Sequence, residues 1–135
     1  MIRHRLVVDT PGRGFTELTA RLRELVADTA MGDGLCHCFI QHTSASLLVM
    51  ENADPAVLRD VERFFGDLVP DGDQRYEHTA EGPDDMAAHV RSALTTTDLT
   101  LPVADGRLDL GTWQGVFLYE HRHAPHRRKV CVTLF

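Results

Sequence analysis

The sequence predicts an α+β domain in which a largely antiparallel β-sheet packs with about three α-helices. Three observations carry this. Segments near both ends alternate apolar and polar residues with a period of two. Three interior segments repeat apolar residues at helical spacing. Strands and helices do not alternate as βαβ units, which disfavours a parallel sheet. The 135 residues, free of repeats and linkers, fit one domain spanning 1–135.

Arg3–Asp9 reads as the first strand, stopped by Thr10-Pro11-Gly12. Phe15, Leu18, Leu22, Leu25 and Val26 recur at helical spacing and predict a helix over Thr16–Ala30, ended by Gly32 and Gly34. Leu35–Gln41 alternates, with Cys36, Cys38 and Ile40 on one side. Ala45–Met50 follows as a second apolar strand after a break at Thr43-Ser44. Asp54-Pro55 is a strong helix start, because Asp accepts from free N–H groups and Pro at the first position gives up no needed donor. Val57, Leu58, Val61, Phe64, Phe65 and Leu68 then form a broad apolar stripe, and the helix must stop before Pro70. Asp71–Gly82 is a loop. A third helix is expected over Asp84–Leu94 with Met86, His89, Val90, Ala93 and Leu94 inward. Strands are expected at Leu99–Val103, Arg107–Leu110, Gly115–Glu120 and Lys129–Phe135, the first two joined by a turn at Ala104-Asp105-Gly106.

The net charge is −6 and unevenly spread. The last fifteen residues hold four of the 14 basic residues and none of the 20 acidic ones, so residues 1–120 carry −10. An acidic body disfavours nucleic acid as a partner and suits one small anion near Arg122, Arg127, Arg128 and Lys129. No stretch approaches the ~18 apolar residues of a membrane span, and the N-terminus lacks a signal-peptide pattern, so a cytoplasmic protein without membrane partners is expected. Cys36, Cys38 and Cys131 form neither a disulfide framework nor a CxxC pair.

Eight histidines are the richest source of chemistry. His42 stands where a strand breaks, His78 in a loop, and His89 on a helix; each is either a structural histidine or a ligand. Converging, they would form the three-histidine set of an open site for zinc or a similar divalent metal ion. His121, His123 and His126 lie among arginines, whose repulsion of a cation favours an anion there. Thr43 and Ser44 offer hydroxyls to a phosphate. Glu51 and Asn52, unlike the capping Asp54, have no structural duty and are candidates to face a ligand. Gly111 and Gly115 bracket Trp113 and Gln114, and Trp113 is either a core anchor or an aromatic wall for a ring. Arg127 and Arg128, consecutive in a strand, must point to opposite faces, so one of them alone faces a pocket.

Six blocks in register then carry a resemblance. They are His42-Thr43-Ser44-Ala45-Ser46, Glu51-Asn52-Ala53-Asp54-Pro55, Tyr76-Glu77-His78, Gly82 to His89, Gly106 to Gly115, and Glu120-His121-Arg122 with Arg127-Arg128. Together they span nearly the whole chain and resemble the YjbQ-like family. Ala124-Pro125-His126 departs from the glycine-containing turn of that family. The resemblance implies a small α+β homotrimer with a weak, secondary thiamine-phosphate synthase activity. That activity joins a thiazole phosphate to hydroxymethylpyrimidine diphosphate and releases pyrophosphate.

On this reading His42, His78 and His89 hold a divalent metal, with Ser44, Glu51 and Asn52 completing the catalytic set. Thr43, Trp113, Gln114 and Arg127 or Arg128 bind the phosphorylated substrate. Two alternatives use the same pocket: a metal-dependent hydrolase of a phosphorylated metabolite, and a non-catalytic protein that binds a small ligand.

Overall fold

The computed structural model describes residues 1–135. The chain forms β1 (Ile2–Thr10), β2 (Gly14–Glu17), α1 (Thr19–Asp28), β3 (Gly34–Ile40), β4 (Ala45–Glu51), α2 (Pro55–Leu68), α3 (Asp85–Leu94), β5 (Asp98–Ala104), β6 (Arg107–Leu108), β7 (Gln114–Glu120) and β8 (His126–Leu134). All strand pairs are antiparallel. They build a five-stranded sheet in the order β1-β8-β3-β5-β6 and a three-stranded sheet in the order β2-β7-β4. The α+β expectation therefore holds, with the sheet divided in two.

The alternation read from the sequence places the core. Leu6 and Val8 of β1, Cys36, Cys38 and Ile40 of β3, and Val130, Val132 and Leu134 of β8 line one sheet's inner face. Ala45 and Leu47 of β4 and Val116 and Leu118 of β7 line the other. Leu18, Leu22 and Val26 close the end of this sandwich from α1 and the residue before it. The opposite face of the three-stranded sheet carries Ser46, Phe117 and Tyr119. Its β4 strand contacts α2 and α3. Cys36 and Cys38 sit on one face with sulfurs 4.0 Å apart, and all three cysteines are free thiols.

Three local expectations are corrected. The helix predicted from Thr16 begins at Thr19, because Phe15 and Thr16 belong to β2. Phe15 pairs with Tyr119 across the ladder, its ring stacked 4.0 Å away, and that contact overrides a helical spacing that Phe15 merely continues. Gly12 and Gly14, at φ +122° and +137°, turn the chain into this pairing. The predicted inner face of α3 is also displaced. Ala87, Ala88, Asp85 and Arg91 are buried, whereas Leu94 is 56% exposed. Arg91 reaches inward to Glu62 at 3.1 Å and to the Tyr119 hydroxyl, and so fixes the helix rotation. Finally, β6 stops at Leu108, short of Leu110.

Helix α2 starts and stops as read: the Asp54 side chain accepts from the Ala56 amide at 2.9 Å, and the helix ends at Leu68. Its apolar stripe nevertheless buries no residue fully within the chain, and Phe64 is 63% exposed. No helix is long and apolar enough to cross a membrane.

Burial separates two apolar positions. Leu22→Ala should lower unfolding free energy by about 2–5 kcal/mol, the range for a cavity in a closed core. Phe64→Ala, measured on the single chain, should stay within about 0.5 kcal/mol. Urea unfolding at nanomolar concentration measures both.

Candidate active site

The site grows from one short connection. β3 ends at Ile40 and β4 begins at Ala45, so Gln41-His42-Thr43-Ser44 must turn between the two sheets. Ser44 anchors that turn. Its hydroxyl is 3.0 Å from His42 Nδ1 and accepts from Arg128 Nη2 at 2.9 Å, while its amide donates to His42 Nδ1 at 3.1 Å. An Nδ1 that accepts leaves the neutral ring's proton on Nε2. Burial and the Arg128 charge both push the His42 pKa below its ordinary value, so the ring is neutral near pH 7. His42 therefore presents an Nε2–H donor, which has no protein partner, to the adjoining cleft. That cleft, of about 520 Å³, lies between the end of β3 and α3 and includes Phe39, His42, Thr43, His89 and Ser92.

Across the cleft, His89 has the opposite tautomer. Its Nδ1 donates to the Thr43 carbonyl at 3.2 Å, so in the neutral ring Nε2 carries a lone pair. That lone pair faces Asp85 Oδ2 at 3.4 Å, one helical turn earlier. His78, from the loop before α3, brings its Nε2 to 2.9 Å from the same oxygen. One ligand atom from each of His78, Asp85 and His89 lies within 4.8 Å of the others. A lone pair set against a carboxylate is stable only when the ring is protonated or a cation sits between them. The donor set of two imidazoles and one carboxylate fits a divalent ion such as zinc, whose ligands at ~2.1 Å lie roughly 3.4 Å apart.

Asp85 is itself positioned. It is 2% exposed, and Arg122 Nη1 donates to its Oδ1 at 2.9 Å, leaving Oδ2 for the histidines. Arg122 also pairs with Asp84 at 3.1 Å and donates to the Glu81 carbonyl at 2.9 Å. Burial would raise the Asp84 pKa, but the His123 amide and Arg122 outweigh it and hold the carboxyl below its ordinary value. Outer support of this kind would orient Asp85 toward a metal ion.

The structure thus brings two of the three expected histidines together, with Asp85 rather than His42 as the third group. His42 shares a cavity with His89 and has its Nδ1 engaged. Ser44, expected to bind phosphate, is enclosed and its hydroxyl is occupied by His42 and Arg128. Thr43 lines the cleft and supplies the carbonyl that orients His89.

Arg127 and Arg128 point to opposite faces, as strand geometry requires. Arg127 lies outside, paired with Asp9 at 2.9 Å. Arg128 is buried and grips Glu120 through Nη2 at 2.6 Å and Nε at 2.8 Å. Of the four basic residues expected to hold an anion, Arg122, Arg127 and Arg128 are each paired with a carboxylate, and Lys129 is exposed. His121 is buried against Ser46 at 2.8 Å, with its pKa lowered to about 3 by burial and then by Arg91. His123 pairs with Asp71, and His126 turns to the Ala124 carbonyl.

Glu51, Asn52, Trp113 and Gln114 do not join this cleft. Ala45 pairs with Glu120 at one end of the β4–β7 ladder and Glu51 with Gln114 at the other. Six strand residues separate these ends by about 20 Å. At the far end the Asn52 amide donates to the Trp113 carbonyl at 3.0 Å, and the Asn52 side chain donates to Glu17 at 3.2 Å. A Cβ on Gly115 would sit 2.9 Å from the Asn52 Cβ, so only glycine fits there. Trp113 stands 62% exposed, neither core anchor nor wall of the His42 cleft.

Sequence reasoning missed Asp85 and Glu120. Asp85 reads as part of a helix start, although its spacing of four from His89 signals a shared helix face. Glu120 ends a strand and opens the Glu120-His121-Arg122 block, but nothing in the sequence marks it as the partner of Arg128.

A family model described as UPF0047 protein YjbQ-like matches residues 4–135. The chain belongs to the YjbQ-like family. A UPF0047 protein of Synechocystis is 51% identical over 127 residues, covering 94% of this chain and 86% of that protein. The UPF0047 protein YjbQ of Escherichia coli O157:H7 is 45% identical over 130 residues, covering 96% and 94%. Among solved structures, a conserved hypothetical protein of Thermus thermophilus superposes with a TM-score of 0.87 at 37% identity, covering 98% of this chain and 99% of that one. A YjbQ/UPF0047 family protein of Clostridium acetobutylicum gives 0.84 at 30% identity over the whole of both chains.

The buried charges set two expectations. Arg128→Met should cost about 3–5 kcal/mol, because it strands the Glu120 carboxylate, whereas Arg127→Ala should stay within about 0.5 kcal/mol. Denaturant midpoints of the two variants decide this. Stability should also fall on acidification. The unfolded chain protonates His121 near its ordinary value of 6.5 while the fold resists until about 3, so stability declines across that window. Burial would raise the Glu120 pKa, but Arg128 and the Thr10 hydroxyl outweigh it and hold the carboxyl below its ordinary value, so its contribution is lost as pH falls through the folded pKa. Thermal midpoints from pH 7 to 4 should drop, and His121→Gln should flatten the upper part of that slope.

Proposed function

We propose that this chain is a metal-dependent enzyme acting on a small phosphorylated substrate in the cleft between His42 and His89. The single observation that carries this reading is the convergence of His78, Asp85 and His89 over one carboxylate oxygen, with Arg122 behind it. The reaction best matched to the family resemblance is thiamine-phosphate formation. In it a thiazole nitrogen attacks the pyrimidine methylene carbon, a C–N bond forms, a C–O bond breaks, and pyrophosphate leaves with the bonding pair.

His78, Asp85 and His89 would hold a divalent ion, which supplies positive charge against the charge developing on the leaving group. His42 Nε2–H donates to a phosphate oxygen from the opposite wall. Its neutral ring, fixed by Ser44, neither takes up a proton nor competes for the metal. Phe39 and Ile40 give the cleft an apolar side for a ring, and Thr43 offers a hydroxyl. Three free cysteines fit a reducing cytoplasm.

The assembly proposed is a homotrimer. Val57, Val61, Phe64 and Leu68 follow a 4-3-4 spacing, a seam that apolar residues adopt when another helix or chain covers them. Light scattering should return three times the 15.1 kDa chain mass.

Calorimetric titration with Zn²⁺ or Mn²⁺ should give one ion per chain. Asp85→Asn and His89→Ala should weaken binding by about 10-fold or more, while His42→Ala should retain the ion. Metal-loaded protein given thiazole phosphate and the pyrimidine diphosphate should form thiamine phosphate, and should lose that ability in Asp85→Asn and in His42→Ala. Release of inorganic phosphate from phosphorylated metabolites, without thiamine phosphate, would move the assignment to a hydrolase at the same site.

A further inference from the structure

The cleft takes up only part of the sequence pattern. Glu51, Asn52, Trp113 and Gln114 lie at the opposite end of the β4–β7 ladder, about 20 Å from the His42 turn. That far end is nonetheless built. The Asn52 amide ties down the Trp113 carbonyl at 3.0 Å, and Gln114 Oε1 accepts from the Gly111 amide at 2.8 Å. Gly115 permits a backbone approach that no other residue allows. The outcome is a rigid loop that holds a large indole in solvent, away from every other aromatic ring of its own chain.

The two ends are complementary. Around Trp113 stand Glu17, Glu51 and Asp54, none of which forms an ion pair. At the cleft, His42 directs an unpartnered Nε2–H outward, beside the exposed ring of Phe39 and the exposed Ala93 and Leu94. One end thus offers carboxylates and an aromatic ring, and the other a donor with an apolar rim. A single chain cannot bring its own two ends together, because a ladder of seven residue pairs keeps them apart.

We infer that a second copy of this chain seats its Trp113 loop on the His42–His89 cleft, so that each site is completed across a subunit boundary. Trp113 of one copy lies against the Phe39 rim, and in the substrate-free assembly Glu51 of that copy accepts from His42 of the other, the Nε2–H that a substrate phosphate oxygen takes over on binding. This rests on the reading of the cleft as the active site, and it adds the groups that the cleft lacks within one chain: an aromatic wall and a carboxylate.

Trp113 is the only tryptophan, so its fluorescence reads the contact directly. Acrylamide should quench Trp113 several-fold less in the wild-type assembly than in Phe39→Asp, which alters the rim of the receiving copy. Equal quenching in the two proteins would overturn the inference, whether or not any metal binds. A second experiment separates the copies. His89→Ala carries the tryptophan and lacks the metal site, while Trp113→Phe keeps the metal site and has no tryptophan. Subunits of the two are mixed and exchanged, with mixed assemblies verified by native mass spectrometry, and Co²⁺ is added. Quenching of the tryptophan in the mixture, absent from His89→Ala alone, is expected. Co²⁺ absorption bands in Trp113→Phe without quenching in the mixture would overturn the shared site and leave the proposed metal centre standing. No Co²⁺ bands in either wild type or Trp113→Phe would instead remove the metal centre, and the acrylamide result then decides the shared site alone.

Discussion

A buried ion pair underlies the geometry described above. Glu120, at the end of β7, is fully enclosed and stays ionised because Arg128 of β8, the Thr10 hydroxyl of β1 and the amides of His121 and Arg122 close around it. The pair joins the two sheets, because Glu120 belongs to the three-stranded one and Thr10 and Arg128 to the five-stranded one. Arg128 also holds the Ser44 hydroxyl, and through it the His42 ring. An isolated charge in this position would cost several kcal/mol, and the Arg128 guanidinium and the hydroxyl and amide donors offset that cost. The ends of the sheets, the turn between them and the tautomer of His42 thus depend on one carboxylate.

The two cleft histidines show how backbone placement divides chemical labour between identical side chains. His42 accepts at Nδ1 and is left as a donor. His89 donates from Nδ1 to Thr43, a residue of the same turn, and is left with Nε2 turned to Asp85. Neither role follows from the residue type. Both follow from where the Thr43 carbonyl and the Ser44 amide point, which the sandwich fixes.

Much of the fold was legible in the sequence, and the reasons are local. Asp54-Pro55 marked the start of α2 because capping and proline geometry act within one turn. The alternation through Cys36, Cys38 and Ile40 gave the inner face of β3 because a strand has only two sides. Phe15 misled because a short edge strand contributes too few residues to show its own period, and its true partner, Tyr119, lies far along the chain. The rotation of α3 was hidden for a related reason: a buried arginine, satisfied by Glu62 and Tyr119, turns a charged position inward. At the site, His78 and His89 were legible as candidates, but their shared Asp85 oxygen was not. The pairing of Arg128 with Glu120 was equally hidden, and it reassigns a presumed substrate contact to structural support.

The most direct test of this account is the tautomeric state of the cleft histidines in the metal-free protein at neutral pH. Long-range ¹H–¹⁵N correlation spectra distinguish the two ring nitrogens of each residue. The account predicts that His42 carries its proton on Nε2 and that His89 keeps a proton on Nδ1. The reverse assignment, with His42 protonated on Nδ1 and His89 on Nε2, would place the free lone pair on the wrong wall of the cleft and contradict it.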